Sequence, residues 1–194
     1  AIKTRKGRDM NASIQQQVII SGVGGQGVLF VTRLLAEAAI NKGLPVFTSE
    51  THGMAQRGGT VLSHLKVGDF SSPLIRPLQA DILIMLKAEN LKQHGSFLKS
   101  AGWAVSNGTG NIDNGSSLAV ETIDADALAQ KIENPKAVNL IVLGFALATA
   151  EKAAAGDQLF CSAEDIKDVL QNRFAKNETM LHASVKALEA GYKA

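Results

Sequence analysis

The chain has 194 residues, of which 45% are hydrophobic, and this length and composition are typical of a single globular domain with a sizeable core. Twenty basic against 18 acidic residues leave a net charge of +2, and nine residues are aromatic, so nucleic acid is not an expected partner. No apolar run reaches the ~18 residues of a membrane span, and no signal-peptide core follows the basic first residues, so we expect a cytoplasmic protein with no membrane partner.

Residues 17–42 predict a strand, a glycine turn and a helix. An apolar run at 18–20 precedes Gly22, Gly24, Gly25 and Gly27, and the apolar positions that follow recur every three or four residues. These glycines allow positive φ angles and let a ligand approach the main chain without meeting a Cβ atom. Because the helix then begins with unpaired N–H groups and the positive end of its dipole, we expect a phosphate there.

A second strand is predicted at 44–48. Its connection through a helix predicts that it runs parallel to the first strand. Residues 49–59 break every periodicity, so we expect a loop at the carboxyl end of the sheet. Since open α/β sheets bind ligands at that end, the two glycine-rich segments should lie close together.

The rest of the chain predicts strands and helices in alternation. Strands are predicted at 60–67, 81–86, 103–107 and 118–123, with 70–75 as a short antiparallel partner. Helices are predicted at 88–99, 124–133, 138–154, 162–174 and 177–191, the third of them buried because it is apolar almost throughout. The expected helix caps are Asp124, Ser162 with Asp165, and Asn177.

The fold class that follows is α/β: a single Rossmann-like domain whose mostly parallel sheet is flanked by helices and carries a short antiparallel hairpin. We assign this domain to residues 17–194. Residues 1–16 are interpreted as an N-terminal extension, either native or left from cloning.

The glycine turn also matches the G-x-G-x-x-G pattern of dinucleotide-binding folds at Gly22, Gly24 and Gly27. Glu50 follows Gly27 by 23 residues, where such folds place an acidic residue on the ribose. One alternative is therefore a free-standing NAD(P)-binding oxidoreductase. Another is a tight turn that binds nothing.

The second glycine-rich segment contains Gln56 and Arg57. The planar guanidinium of Arg57 suits a carboxylate or a phosphate, and Gly58 and Gly59 leave the main chain accessible beside it. Glu50 could instead neutralise Arg57 in a purely structural pair. Both interpretations stay open on the sequence.

The sequence shows no independent catalytic set. His94 and His182 are expected on helix surfaces, and no two histidines have metal-ligand spacing. Cys161, the single cysteine, is expected to be a structural thiol near a helix start, and it cannot alone hold an iron–sulfur cluster. Without a nucleophile beside a base, we expect no catalytic residue and no metal on this chain.

In order and spacing, these motifs resemble the gamma subunit of 2-oxoacid:ferredoxin oxidoreductases, in particular the branch of the indolepyruvate oxidoreductase beta subunit. The resemblance covers about residues 17–192. It lies in GVGGQGV at 22–28, LLAEAA at 34–39, SETHGMAQRGGTVLSHLKVG at 49–68, SSPLI at 71–75 and VNLIVLG at 138–144.

The resemblance implies an accessory, non-catalytic subunit that binds no cofactor stably. Its partners would be thiamine-diphosphate-binding and iron–sulfur subunits, in a complex that converts a 2-oxoacid to an acyl-coenzyme A and reduces ferredoxin. The 2-oxoacid is not determined, and a homodimer of the isolated chain stays open. The residues expected to face a ligand or a partner are Gly22, Gly24, Gly25, Gln26, Gly27, Glu50, Gln56 and Arg57.

Overall fold

The computed structural model describes residues 14–52, 59–110, 120–153 and 158–194. The strands are β1 (Gln16–Val23), β2 (Val46–His52), β3 (Thr60–Val67), β4 (Ala80–Met85), β5 (Leu98–Asn107) and β6 (Val120–Ile123). The α-helices are α1 (Val28–Asn41), α2 (Leu91–His94), α3 (Ala125–Lys131), α4 (Val138–Lys152), α5 (Ala163–Arg173) and α6 (Glu178–Tyr192). Single 3₁₀ turns lie at Ala88–Asn90, Gly95–Phe97 and Pro135–Ala137.

The six strands form one sheet in the order β2-β3-β1-β4-β5-β6. β3 runs antiparallel to both of its neighbours, β2 and β1. The other three pairs, β1–β4, β4–β5 and β5–β6, are parallel. β1 and β2 therefore run in the same direction, as their helical connection predicts, although β3 separates them. The mostly parallel α/β fold is confirmed, but its antiparallel strand is β3, and residues 70–75 form no strand.

The prediction of a loop at 49–59 is wrong for its first four residues. Residues 49–52 belong to β2, where Ser49 pairs with His64 and His52 pairs with Val61. Main-chain pairing at a sheet edge does not require apolar side chains, so the polarity of this stretch concealed a strand.

The long helices cover one face of the sheet. α1 and α4 pack on Val18, Ile20, Leu65 and Ile84, while α5 and α6 complete the same hydrophobic core. The middle of α4 is buried all round, which confirms the prediction from its apolar sequence. No helix of the described segments is long and apolar enough to cross a membrane.

Two glycines let α4 and α6 approach each other closely. A Cβ atom on Gly144 would overlap the carbonyl oxygen of Leu188, and one on Gly191 would overlap the carbonyl oxygen of Ile141. Side chains are thus excluded where the two helices cross.

The expected helix caps are confirmed at three positions. Asp124 accepts a hydrogen bond from Ala127 N–H, and Asn177 accepts one from Met180 N–H. Ser162 and Asp165 form a complete capping box at the start of α5. Cys161 is buried immediately before this cap, as expected for a structural thiol.

The opposite face of the sheet carries a thinner cover, made by residues 68–79 and the short helical turns at 88–97. The helix predicted at 88–99 is wrong, because one turn of α-helix between two 3₁₀ turns occupies this segment and β5 already begins at Leu98. Asn90, Gly95 and Ser96 are poor helix formers, which favours the broken path.

A polar cluster lies beneath this thin cover. The Nδ1 atom of buried His64 accepts a hydrogen bond from Ile75 N–H at 3.2 Å. Asn90 Nδ2 donates to Ser21 Oγ, which lies 2.7 Å from Nδ1 of His94. A hydroxyl group can both donate and accept, so Ser21 donates to His94 Nδ1 or accepts from it according to the tautomer of the imidazole. Burial lowers the pKa of His94 and so favours its neutral form. His94, expected on a helix surface, is thus half-buried against the sheet.

The Gly144→Ala variant is expected to unfold more readily. Alanine normally stabilises a helix by about 1 kcal/mol over glycine, but here the methyl group forces α4 and α6 apart, at a cost of about 3 kcal/mol. Gly43→Ala is the control, because no atom lies within 4 Å of its added Cβ and only the φ angle of 72° opposes it. Urea unfolding measures both variants, and equal stability would contradict the close helix crossing.

Stability is expected to fall in acid through His64. Burial lowers the pKa of His64 below its ordinary value of 6.5, and the nearby charges of Lys66 and His94 lower it further. The unfolded chain therefore binds this proton first, and the free energy of unfolding decreases as the pH falls below 6.5. His64→Asn should flatten this pH dependence, whereas His182→Asn on the exposed face of α6 should preserve it. An unchanged slope in His64→Asn would refute the assignment.

Candidate functional site

The glycine turn joins the carboxyl end of β1 to α1. Gly25 and Gly27 have φ angles of 92° and 84°, and Gln26 N–H donates to Val23 O at 3.0 Å. Gly27 caps α1, so no side chain caps this helix, and its first turn contains no acidic residue. The positive end of the α1 dipole is therefore not neutralised by any residue of its own first turn.

The two glycine-rich segments meet at this turn. Gly24 N–H donates to Gly59 O at 3.0 Å, and Val23 pairs with Thr60 at the end of the β1–β3 ladder. The expected proximity is confirmed for this end of the second segment. Gln56 and Arg57 lie outside the described residues.

The residues of the first motif occupy different positions. Gly24 and Gly25 are exposed, and a Cβ atom on Gly25 would have no neighbour within 4 Å. Gly22 is buried, and its added Cβ would lie 2.7 Å from a methyl carbon of Val28. The accessible main chain of the turn is thus centred on Gly24 and Gly25.

Gln26 supports the turn from within. Its Oε1 atom accepts a hydrogen bond from Val23 N–H at 2.7 Å, and its Nε2 atom lies 3.5 Å from Leu86 O. Buried Asn107 reaches the same carbonyl and also accepts from Ala125 N–H at the start of α3. These side-chain amides join the turn to the carboxyl ends of β4 and β5.

Glu50 is exposed on β2 and lies opposite Ser63 of β3. In the common dinucleotide-binding order, 3-2-1-4-5-6, the strand that carries the ribose-binding acid adjoins the first strand. Here β3 occupies that place, which moves Glu50 away by one strand spacing, about 4.8 Å. The strand order therefore disfavours the nicotinamide interpretation.

A cavity of about 500 Å³ opens over the turn. Gly24, Gly25 and Gly27 form one side of it, and Phe30 and Arg33 of α1 line the other. Arg33 is exposed and adds a permanent positive charge beside the helix N-terminus. The sequence reasoning missed Arg33, although its place in the second turn of a helix that follows a glycine turn was a usable signal.

Asn139 was also missed. It lies in the first turn of α4, and a Cβ atom on Gly27 would overlap its side-chain amide. A single polar residue in the otherwise apolar stretch 138–148 was the signal that could have revealed it.

Other reactive groups lie elsewhere or are inert. Burial raises the pKa of the Cys161 thiol far above its usual range, so this thiol is not a nucleophile at neutral pH. Within the ranges that the structure describes, no three His, Cys, Asp or Glu side chains are placed to hold a metal ion.

A family model described as pyruvate ferredoxin/flavodoxin oxidoreductase matches residues 17–194. The chain belongs to this family. Membership confirms the resemblance seen in the sequence and gives the nicotinamide interpretation no support.

Two curated relatives are subunits of this family named indolepyruvate oxidoreductase subunit IorB. The protein from Thermococcus kodakarensis is 26% identical over an alignment of 202 residues, gaps included. That alignment covers 93% of this chain and 96% of the relative. The protein from Archaeoglobus fulgidus is 46% identical over 81 residues, and that match spans 42% of this chain and only 40% of the relative.

A solved structure with the same fold is the 2-oxoglutarate:ferredoxin oxidoreductase from Magnetococcus marinus, which has 2-oxoglutarate, coenzyme A and succinyl-CoA bound. It is 20% identical to this chain, with a TM-score of 0.73. The match covers 92% of this chain but 30% of the solved one, so the domain is part of a longer polypeptide there.

Replacing Gln26 with alanine is expected to lower the free energy of unfolding by about 1–2 kcal/mol, because Val23 N–H loses its partner in a half-buried turn. Gln93→Ala is the matched control: its Oε1 atom accepts an exposed hydrogen bond from Thr60, and its loss should cost under about 0.5 kcal/mol. Urea unfolding compares the two, and an equal effect would show that Gln26 does not support the turn.

Proposed function

We propose that this chain is the non-catalytic, gamma-type subunit of a thiamine-diphosphate- and iron–sulfur-dependent 2-oxoacid:ferredoxin oxidoreductase. The complex oxidatively decarboxylates a 2-oxoacid to an acyl-coenzyme A. The observation that carries this proposal is the family match over residues 17–194, together with relatives that are themselves oxidoreductase subunits.

The residues of this chain favour an accessory role. One cysteine cannot supply the four thiolates of an iron–sulfur cluster, and that cysteine is buried. Thiamine diphosphate, bound on another subunit, would supply the electron sink that loss of carbon dioxide from the 2-oxoacid requires. We therefore assign both groups, and the electron transfer to ferredoxin, to partner subunits of a cytoplasmic complex.

The glycine turn is proposed as the surface that faces coenzyme A. Its diphosphate suits the exposed main chain at Gly25, the N-terminus of α1 and the guanidinium of Arg33. The coenzyme A bound in the Magnetococcus marinus oxidoreductase supports this choice of ligand.

The other residues of the expected surface take different parts in the proposal. Gly22, Gln26 and Gly27 shape the turn, and Gln26 holds it to β4 through Leu86. Glu50 lies on β2, which pairs with β3. Gln56 and Arg57 remain proposed ligand or partner contacts from outside the described residues.

The subunit role predicts no turnover by the isolated chain with a 2-oxoacid, coenzyme A and ferredoxin. Activity should appear when thiamine-binding and iron–sulfur subunits, purified from cells that lack this chain, are mixed with it. Reduction of ferredoxin and formation of acyl-coenzyme A are the two readouts. Oxoacid oxidation by the chain alone would overturn the proposal, and so would full activity of the other subunits without it.

A further inference from the structure

A surface of cationic and apolar side chains lies on the thinly covered face of the sheet, at the end remote from the glycine turn. Lys66 pairs with Gln17 near the amino end of β1, whereas the turn follows Val23 at its carboxyl end. These two positions of β1 are six residues apart, which is about 20 Å along a strand. Residues 68–79, which include the SSPLI motif at 71–75, form the cover here, and the proposed function leaves that motif without a role.

The covering segment is fixed from beneath, yet it leaves two leucines exposed. Ile75 is buried, and its N–H donates to Nδ1 of buried His64 at 3.2 Å. Leu78 N–H donates to Ser96 O at 2.9 Å. Leu74 and Leu78 are nevertheless 52% and 70% exposed. Since they are four residues apart, at most about 14 Å, one interface of ordinary size, about 800 Å² per partner, can cover both.

Leu78 is also strained. Its φ angle of 62° lies in the left-handed region that residues other than glycine rarely adopt. The conformation is unfavourable for a leucine, and a side chain in water gains no packing energy in return. Strain of this kind is typical of positions that serve binding, and a contact that buries Leu78 would offset it.

Two cations accompany the leucines without a carboxylate. Arg76 is exposed between Leu74 and Leu78 in the sequence. Burial lowers the pKa of Lys66, and the charge of nearby Arg76 lowers it further. Among the residues that the structure describes, no carboxylate forms an ion pair with either cation. Carboxylates of a partner would therefore relieve the repulsion between Lys66 and Arg76.

Aromatic side chains extend the surface around Lys66. Its Nζ atom lies 5.0 Å from the centre of the Phe70 ring, a cation–π contact. Phe47 of β2 pairs with Lys66 across the strands, so both side chains lie on the same face of the sheet, and Phe47 is 40% exposed. The surface thus combines apolar, aromatic and cationic groups, as the centres of protein interfaces do.

The chain itself supplies no suitable counterpart for this surface. A symmetric contact between two copies around these residues would bring four cations together. Residues 1–13 contain four basic residues against one acidic residue, so they add positive charge rather than carboxylates. The charge pattern therefore favours a different, acidic protein.

We propose that Phe47, Lys66, Leu74, Arg76 and Leu78 form a docking surface for a partner subunit of the complex, which places carboxylates on the two cations and an apolar pocket over the leucines. This inference rests on the proposed function, because it takes those partner subunits to exist. A contact at this end of the sheet leaves the glycine turn at the other end of β1 uncovered.

Calorimetry of the full chain with the thiamine-binding and iron–sulfur subunits, purified from cells that lack this chain, tests the docking surface. Arg76→Glu should weaken assembly about tenfold, because it sets like charges against each other. Lys176→Glu makes the same change of charge at an exposed position between α5 and α6, and it should assemble as the unaltered chain does.

Leu78→Asn separates a docking role from a structural one. Asparagine tolerates the left-handed conformation, so the variant should unfold at the same temperature as the unaltered chain or higher. Assembly should still weaken about tenfold, since the apolar contact is lost. Ile40→Asn is the matched control, because Ile40 of α1 is 60% exposed and lies outside the docking surface.

Activity of the mixed subunits gives a second readout. Half-maximal formation of acyl-coenzyme A should need about ten times more of the Arg76→Glu chain, while the rate at saturation is unchanged, because the docking surface contains no catalytic residue. A thermal unfolding scan of each variant confirms that it is folded.

The possible failures are distinguishable. Assembly of Arg76→Glu and Leu78→Asn with unaltered affinity would overturn the docking surface and leave the proposed function intact. No assembly of the unaltered chain with these subunits would overturn both. A dimer of the chain alone in sedimentation, lost in the same two variants, would assign the surface to a second copy and so overturn the inference.

Discussion

The antiparallel pairing of β3 with β1 is the constraint on which the site depends. This ladder ends at Val23 and Thr60, so it delivers Gly59 to the hydrogen bond with Gly24. A simple parallel crossover would place β2 in that position, with its carboxyl end beside the turn. The inserted strand replaces the expected ribose-binding edge with a second glycine-rich segment, and this distinguishes the fold from an ordinary dinucleotide-binding domain.

The helices on one face of the sheet hold the glycine turn in place. α4 is buried all round and packs between the sheet and α6, and its first turn brings Asn139 to Gly27. The side chains of Gln26 and Asn107 converge on Leu86 O and tie the turn to the neighbouring parallel strands. A ligand at the turn therefore meets a preorganised main chain, which lowers the ordering cost of binding.

Much of the fold could be predicted from local sequence, because helix caps and apolar periodicity are local properties. Asp124, Ser162 and Asn177 cap the helices as expected. Prediction failed where pairing between distant strands outweighed local sequence. The polar residues 49–52 were predicted as a loop, but they extend the edge strand β2. In the site, the glycines were predictable from their spacing. Arg33 and Asn139 left only weak signals in the sequence, and the packing of α1 and α4 was needed to show that they lie at the turn.

The antiparallel pairing of β2 with β3 has a consequence for how this family can diversify. The register between β2 and β3 is fixed by the pairs from Val46–Val67 to His52–Val61, and that between β3 and β1 by a separate ladder. Insertions or deletions between His52 and Gly59 leave both ladders unchanged. Evolution is thus free to vary the length and chemistry of that short connection, and to adapt it to different neighbours, while the cavity beside it keeps its shape.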